Sequence, residues 1–279
     1  MALSLGLIGQ PIGHSLSPWI HNQFMEKLGI DGEYRLHETD LEHLAAQVEL
    51  LKNEQVDGFN VTVPYKQAII PFLDELDLDA KKIGAVNTVV CENGKWKGYN
   101  TDGYGFVRSL KSSFPDVSGK DKKVLVLGAG GAARGIYRAL MNESLERVDI
   151  ANRTSAKAEL LLDLKEPAIA TDILTFGEAE QQLFKYDVII QTTSVGMKPN
   201  IEAQVIALTN LQAHTVVSDI VYQPLMTKLL QEAKQQGASI HFGHAMLLYQ
   251  AQLAFEIWTD KKAPLDTILF QLEQRLRGN

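Results

Sequence analysis

Val124-Leu125-Val126-Leu127-Gly128-Ala129-Gly130-Gly131-Ala132-Ala133 is the stretch that decides the fold. Four consecutive apolar residues read as a strand buried on both faces, and they run straight into G-x-G-x-x-A, with Gly128, Gly130 and Ala133 in the three key places. The first glycine permits a tight turn, the second lets backbone approach a pyrophosphate, and the small third residue lets the following helix pack close to the strand. That helix, expected from about Ala132, offers free amide groups to an anion at its N-terminus. Gly128, Ala129, Gly130, Gly131 and Ala132 are therefore the expected pyrophosphate cradle.

Downstream, the pattern continues as strand Arg147–Ala151, helix Ser155–Leu164, strands Asp187–Gln191 and Thr215–Asp219, helix Met226–Gln236 and strand Ser239–Phe242. Alternation of this kind predicts a doubly wound, largely parallel sheet of Rossmann type. The end of the second strand sets the cofactor. Enzymes that use NAD place a carboxylate there for the ribose 2′-hydroxyl, whereas this strand ends in Asn152-Arg153-Thr154-Ser155. A guanidinium beside short polar side chains suits a 2′-phosphate, and Lys157 adds a second charge. Asp149 is the competing residue: its distance from the glycine loop fits the carboxylate rule, but its mid-strand place points away from the ligand edge. The expectation is NADP, against the plainer alternative that Arg153 is a solvated surface arginine.

Upstream lies a second α/β series: strand Leu3–Gly9, helix Pro18–Leu28, strand Glu33–His37, helix Leu41–Lys52, strand Gly58–Val63 and a helix starting near Pro64. Asn93-Gly94 between Val89–Glu92 and Lys95–Gly98 is a strong hairpin signal, so this part carries an antiparallel element. Lys111–Lys122, rich in Ser, Lys and Asp, reads as a linker. Helices Met246–Thr259 and Leu265–Arg277 close the chain.

The 279 residues suit two domains. No apolar run reaches the roughly 18 residues of a membrane span, and the N-terminus lacks the basic stretch and cleavage site of a signal peptide. A single cysteine, Cys91, excludes an internal disulfide and any multi-cysteine metal site, which points to the cytoplasm. A net charge of −7 argues against a nucleic-acid partner. The histidines form no His-x-x-x-His pair, so no metal is expected.

Two polar clusters sit where apolar strands end: Asn60-Val61-Thr62-Val63-Pro64-Tyr65-Lys66 and Tyr99-Asn100-Thr101-Asp102-Gly103. Ligands of open parallel sheets bind at the carboxyl ends of strands, so both clusters are expected at one cleft between the domains. Hydride reduction of a ketone creates an alkoxide that needs a proton. Lys66 can supply it and Asp102 can hold the lysine and a substrate hydroxyl, help worth roughly 10²–10⁴ in rate. The plainer alternatives are an exposed helix lysine and an N-cap aspartate. In Ser15-Leu16-Ser17-Pro18, Ser17 reads as an N-cap with Pro18 behind it, and the two hydroxyls also make a carboxylate receptor.

Taken together, the motifs resemble the shikimate dehydrogenase family over nearly the whole chain. Gly9 through Pro18, Asn60 through Lys66, Gly84-Ala85-Val86-Asn87-Thr88, Asn100-Thr101-Asp102-Gly103, the glycine loop, Asn152-Arg153-Thr154, Thr193 through Met197 and Asp219 through Pro224 carry the likeness. The resemblance implies NADPH-dependent, reversible reduction of 3-dehydroshikimate to shikimate. It implies that Ser15 and Ser17 hold the substrate carboxylate, that Thr62, Asn87, Asp102, Tyr222 and Gln250 contact the ligand with Asn60 beside them, and that Lys66 is the acid–base. Ile220 and Gly243 would line the nicotinamide end. It further implies that residues 1–102 with 243–279 bind substrate, that 103–242 bind NADP, and that the cleft between them opens and closes. Gln191, where asparagine is common, and His244, in a variable place, depart from the family pattern. A quinate/shikimate dehydrogenase using NAD or NADP and a non-catalytic NADP-binding regulator remain as rival readings, and the chain is expected as monomer or homodimer.

Overall fold

A computed structural model describes residues 2–278, and the chain divides into two compact units, Met1–Thr101 with Gln250–Leu269, and Asp102–Tyr249 with Phe270–Asn279. In the first unit the chain forms β1 (Leu3–Gly9), α1 (Ser17–Leu28), β2 (Gly32–Glu38), α2 (Leu44–Asn53), β3 (Gly58–Val61), β4 (Glu75–Leu76), α3 (Leu78–Ile83), β5 (Thr88–Glu92) and β6 (Lys95–Tyr99). Among the described residues these strands make a six-stranded sheet in the order β2-β1-β3-β5-β6-β4. β2, β1 and β3 run parallel, and β5 turns antiparallel against both β3 and β6. The β5–β6 turn has positive φ at both Asn93 (53°) and Gly94 (76°), the geometry whose twist matches the flanking strands. Its core gathers Ile8, Val48, Leu51, Phe59, Tyr65, Val89 and Trp96.

The second unit contains α4 (Asp102–Ser113), β7 (Gly119–Leu127), α5 (Gly131–Leu140), β8 (Leu145–Ala151), α6 (Ser155–Glu159), β9 (Ile173–Leu174), α7 (Phe176–Glu180), β10 (Val188–Gln191), β11 (Val216–Asp219), α8 (Lys228–Gln235) and β12 (Ser239–Phe242). Its strands are all parallel in the order β12-β11-β10-β7-β8-β9. Counted along the chain this is the doubly wound 3-2-1-4-5-6 order read in reverse, with the crossover reversal between β7 and β10. The continuous apolar run on β7 follows from burial on both faces: Val124 and Val126 enter one core with Ile136 and Tyr137, and Leu125 and Leu127 enter another with Leu183 and Leu230. Helices α9 (Gly243–Thr259) and α10 (Asp266–Arg277) complete the chain, and the boundary between units falls inside each of them.

Three local expectations differ from the structure. No helix starts at Pro64. The segment 63–69 is a series of turns leading to a 3₁₀ turn at Ile70–Phe72, and the helix of this region is α3. Pro71 disfavours a helix through 64–72, and long-range bonds hold the turns instead. The expected linker 111–122 is mostly ordered, because α4 runs to Ser113 and β7 begins at Gly119. The helix expected at 155–164 stops at Glu159 and continues as a 3₁₀ turn at Leu162–Leu164.

Candidate active site

In the first unit, register alone places the polar clusters on one edge of the sheet. Asn60, near the C-terminal end of β3, lies opposite Thr88, the first residue of β5, and Thr88 lies opposite Tyr99, the last residue of β6. The C-terminal ends of β1, β3 and β6 and the N-terminal end of β5 therefore share an edge. Each of the loops they carry is polar: Gln10–Leu16, Thr62–Lys66, Gly84–Asn87 and Asn100–Thr101.

Gly9 joins two of these loops. A Cβ there would stand 2.3 Å from Thr62 Cγ2 and 2.6 Å from Ile12 Cγ2, so only glycine lets the β1 and β3 loops meet this closely. Gln10 N donates to Val63 O (3.1 Å), and Thr62 N donates to Ile8 O (2.9 Å). Lys66 is seated by its neighbours. The buried Tyr65 donates its hydroxyl to Thr39 O (2.6 Å) and Gln10 Oε1 (3.1 Å), and Val86 N donates to Lys66 O (2.7 Å). Lys66 itself is half-buried, as are Ser15, Ser17, Thr62 and Gln250.

The serine motif caps its helix differently from expectation. Ser17 is the first residue of α1 and Pro18 follows it, while the N-cap place belongs to Leu16, which makes no side-chain cap. Ser15 Oγ accepts from Ser17 N at 3.2 Å, so one hydroxyl already serves a helix-terminal amide.

Asn87 is the best-connected side chain at this edge. Its Oδ1 accepts from Thr101 N (2.8 Å) and Thr88 Oγ1 (3.0 Å), and its Nδ2 donates to Thr101 Oγ1 (2.9 Å) and Gln250 Oε1 (3.4 Å). Asn60 is buried, and its amide serves the protein interior: it accepts from Tyr34 and donates to Asn87 O and Thr88 Oγ1.

The second unit presents a different kind of site, at the C-terminal ends of β7 and β10 where the strand order reverses. Gly128 has φ +112°, and a Cβ on it would lie 2.7 Å from both Thr192 Oγ1 and Thr193 Cγ2. A side chain at 128 is thus barred by both conformation and space. Thr192 Oγ1 donates to Leu127 O (2.7 Å), locking the β10 loop against the glycine loop. At Gly130 and Gly131, by contrast, a Cβ would meet nothing within 4 Å. Gly130 is the N-cap of α5, and the first turn has no side-chain cap. Ala133 is fully buried under the helix. Ala129 and Ala132 flank the loop, half-buried. These features fit a dinucleotide pyrophosphate: open space beside a helix N-terminus that no side chain caps.

At the end of β8, Asn152 Nδ2 donates to Thr154 O (2.8 Å), which shapes the turn, and Arg153, Thr154 and Lys157 are exposed. Asp149 is withdrawn from any ligand. It is 4% exposed, and its carboxylate accepts from Tyr186 hydroxyl (2.7 Å), Asp172 N (2.8 Å) and Arg147 (3.0 Å). The only acidic residue that argued for a bare ribose is thereby occupied, and the cationic surface at 153 and 157 is the part that faces solvent.

Two further loops are tied at the ends of β10 and β11. Asp219 is fully buried and accepts from Thr227 hydroxyl (2.7 Å), Val221 N (2.9 Å) and Gln191 Nε2 (3.2 Å). Burial pushes its carboxyl up to about 6 despite these donors. Gln191 also donates to Val195 O (3.0 Å) and accepts from Thr193 N. The longer glutamine in an asparagine's usual place thus bridges both loops. Ile220 and Tyr222 follow Asp219, half-buried, with the Tyr222 phenol pushed up by burial. Gly243 packs backbone to backbone, since a Cβ would lie 2.3 Å from Ile220 O. Asp102 opens α4, and Gly103 seats that first turn on α5, where a Cβ would come 2.0 Å from Gly135 O.

Thr101, Tyr34 and the Gln191–Asp219 tie are parts of these sites that the sequence did not single out. Thr101 stood inside a quoted motif, but Tyr34 carried no signal beyond being aromatic on a strand. Among the described residues no cluster of His, Cys, Asp or Glu is arranged to hold a metal, and no helix is long and apolar enough to cross a membrane.

Three family models match: the shikimate dehydrogenase substrate binding domain over residues 7–89, shikimate/quinate 5-dehydrogenase over 109–222, and the shikimate 5′-dehydrogenase C-terminal domain over 243–272. A relative from Oceanobacillus iheyensis, named shikimate dehydrogenase (NADP(+)), is 51% identical over 100% of both chains. Shikimate 5-dehydrogenase from Listeria monocytogenes, solved with shikimate and NAD, superposes with a TM-score of 0.90 at 35% identity, covering 97% of this chain and 96% of its own. The Thermus thermophilus enzyme, solved with NADP(H) and shikimate, has a TM-score of 0.85 at 32% identity, covering 98% and 99%.

Proposed function

The chain belongs to the shikimate dehydrogenase family, oxidoreductases that act on a CH–OH group with NADP, and on that premise we propose how its residues divide the work of reducing 3-dehydroshikimate reversibly to shikimate. The observation that carries the reading is the single polar sheet edge of the first unit, which sets hydroxyls, amides and one ammonium on neighbouring loops. A small ring acid with several hydroxyls matches that set. Ser15 and Ser17, at the start of α1, take the carboxylate, helped by the helix-terminal amides. Thr62, Asn87, Gln250 and Tyr222 are assigned to the ring hydroxyls. Buried polar groups built for hydroxyls reject analogues that lack them by up to roughly 10⁴–10⁵.

The glycine loop 128–132 with Asn152, Arg153, Thr154 and Lys157 would hold NADP, with Ile220 and Gly243 toward its nicotinamide end, and the bound cofactor would supply or accept a hydride. In the reducing direction carbon gains a hydride and the carbonyl oxygen gains a proton. Lys66 Nζ delivers that proton, and the Asp102 carboxylate orients the ammonium and accepts from the adjacent substrate hydroxyl. In the oxidising direction the same lysine, unprotonated, removes the hydroxyl proton. Residues 1–102 with 243–279 are assigned to substrate and 103–242 to NADP. The single cysteine supports a cytoplasmic location, with the chain acting as monomer or homodimer.

Absorbance of reduced nicotinamide tests the function directly. Shikimate with NADP⁺ should give robust turnover, quinate and NAD⁺ should each be poorer, and silence across this panel would leave a non-catalytic NADP-binding protein. Lys66→Ala should lower kcat by roughly 10²–10⁴ with the KM for shikimate changed only a few-fold. Near-normal kcat in a folded Lys66→Ala protein would remove the lysine from the proton step.

A further inference from the structure

Tyr34 is the one buried residue on β2, an edge strand otherwise open to solvent. Its ring is clamped rather than merely covered. The His21 imidazole stacks on it at 4.5 Å with planes 6° apart, and Phe24, Phe255 and Trp258 surround that imidazole. A ring held this way cannot relocate its hydroxyl. That hydroxyl donates to Asn60 Oδ1 at 2.7 Å, and the Ser17 side chain interacts with the same phenol.

Tyr34 closes a set of bonds with one polarity, which the Thr101 amide and the Asn87 carbonyl fix at the far end. Because Asn60 Oδ1 is the acceptor, Asn60 Nδ2 must face the other way, and it donates to Asn87 O and to Thr88 Oγ1, each at 3.1 Å. The Thr88 hydroxyl, having accepted, turns its own proton to Asn87 Oδ1 at 3.0 Å. The Asn87 carboxamide then presents Nδ2 toward Thr101 and Gln250. Four side chains are thus aligned donor to acceptor, from the strand edge to the substrate-facing loops.

We propose that Tyr34 is a positioning residue for substrate recognition: its hydroxyl orients Asn60, and Asn60 with Thr88 orients the Asn87 carboxamide toward the ring hydroxyls. This rests on the reading of Asn87 as a substrate ligand, and it gives Asn60 a supporting place behind the ligand contacts. Tyr34→Phe removes one hydrogen-bonding atom and keeps the stacked ring, whereas Thr88→Val breaks the same relay at its far end with similar volume.

Steady-state kinetics on the full chain, with shikimate and NADP⁺ varied in turn, tests the idea. Each variant should raise the KM for shikimate about tenfold, the loss of roughly one buried hydrogen bond, with kcat within threefold and the KM for NADP⁺ within twofold. The double variant should fall well short of the product of the two single effects, because both break one chain of bonds. An unchanged KM for shikimate, equal rises in both KM values, or fully multiplicative effects would each overturn the relay. If Tyr34→Phe does not fold, Thr88→Val alone decides by the same split. Failure of the unmodified protein to oxidise shikimate would refute the functional reading instead, so the two failures are distinguishable.

Discussion

The two sheets prepare their ligand edges by opposite means. The first unit uses side chains: Asn87, Thr101, Gln250 and Thr62 are interlocked by hydrogen bonds and close packing, and Gly9 is there to let loops touch. The second unit uses backbone: Gly130 and Gly131 leave open space over an uncapped helix N-terminus. The difference follows from what is bound. A pyrophosphate is a dense anion that any set of aligned amides can hold. A hydroxylated ring must be distinguished from its relatives by individual donors and acceptors in fixed places. Isosteric changes should therefore damage the first unit's site and leave the second nearly untouched, while a methyl group added at Gly130 should affect the second alone.

The strongest test of that contrast is Gly130→Ala. Nothing in the protein lies within 4 Å of the new Cβ, so the melting temperature should stay within a few degrees. With the glycine loop as the proposed pyrophosphate cradle, the methyl group would obstruct the phosphates, so NADPH affinity, read by fluorescence titration, should fall at least about tenfold. Retained affinity would mean the loop does not approach the phosphates through residue 130. Arg153→Ala sharpens the comparison within one loop. It should raise the KM for NADP⁺ about tenfold and leave that for NAD⁺ within twofold. Asp149→Asn should leave the cofactor preference alone and lower stability, since its carboxylate is bonded to Tyr186, Arg147 and Asp172. A loss of NAD⁺ use relative to NADP⁺ in Asp149→Asn would show that Asp149 does reach the ribose.

Acid should separate the units by a smaller margin. Burial lowers the His21 imidazole from 6.5 to about 3 in the first unit. Burial lowers His241 to about 4 in the second, where Ser218 (2.8 Å) and Ser109 (3.3 Å) flank the ring. Below pH 6.5 the unfolded chain takes up protons that either folded histidine refuses, so stability falls with pH at up to about 1.4 kcal/mol per unit for each group, until the folded pKa is reached. Asp219 has the opposite sign. Raised to about 6, it binds a proton in the folded state before the unfolded carboxyl does, so the second unit regains stability as pH falls from 6 toward 4. His37 and His244, lowered by burial, add the same sign once to each unit. Between pH 6.5 and 5 the first unit should lose about 2 kcal/mol through His21, while Asp219 returns about 1.4 kcal/mol of the loss from His241. Trp19, Trp96 and Trp258 all lie in the first unit, so tryptophan fluorescence reports it selectively. Its denaturation midpoint should move earlier in acid than the far-ultraviolet circular dichroism of the whole chain, and coincident shifts would contradict the assigned signs.

Much of the second unit was legible in one dimension. A Rossmann strand buried on both faces writes itself as an unbroken apolar run, and the glycines are required by local dihedral angles and close approach. Asp149 was open on spacing alone, because distance along a strand does not say which partners fold over it. In the first unit the motifs are visible, but the helical pattern at Pro64 does not form a helix. There the turns are held by Tyr65 and by the Val86–Lys66 bond, contacts remote in sequence that override helical pattern.

Local chemistry by itself determined the strand-and-helix alternation, the phosphate loop, the cationic end of β8 and the residue types suited to a proton and a hydroxylated acid, since each is a property of neighbouring residues. Only tertiary structure decided which amides face inward and which outward. Asn60 and Asn87 look equivalent on the page, yet the register that puts Thr88 opposite both Asn60 and Tyr99 makes one the support of the other. Hydrogen-bond polarity passes through space between strands, and a linear chain carries no record of it.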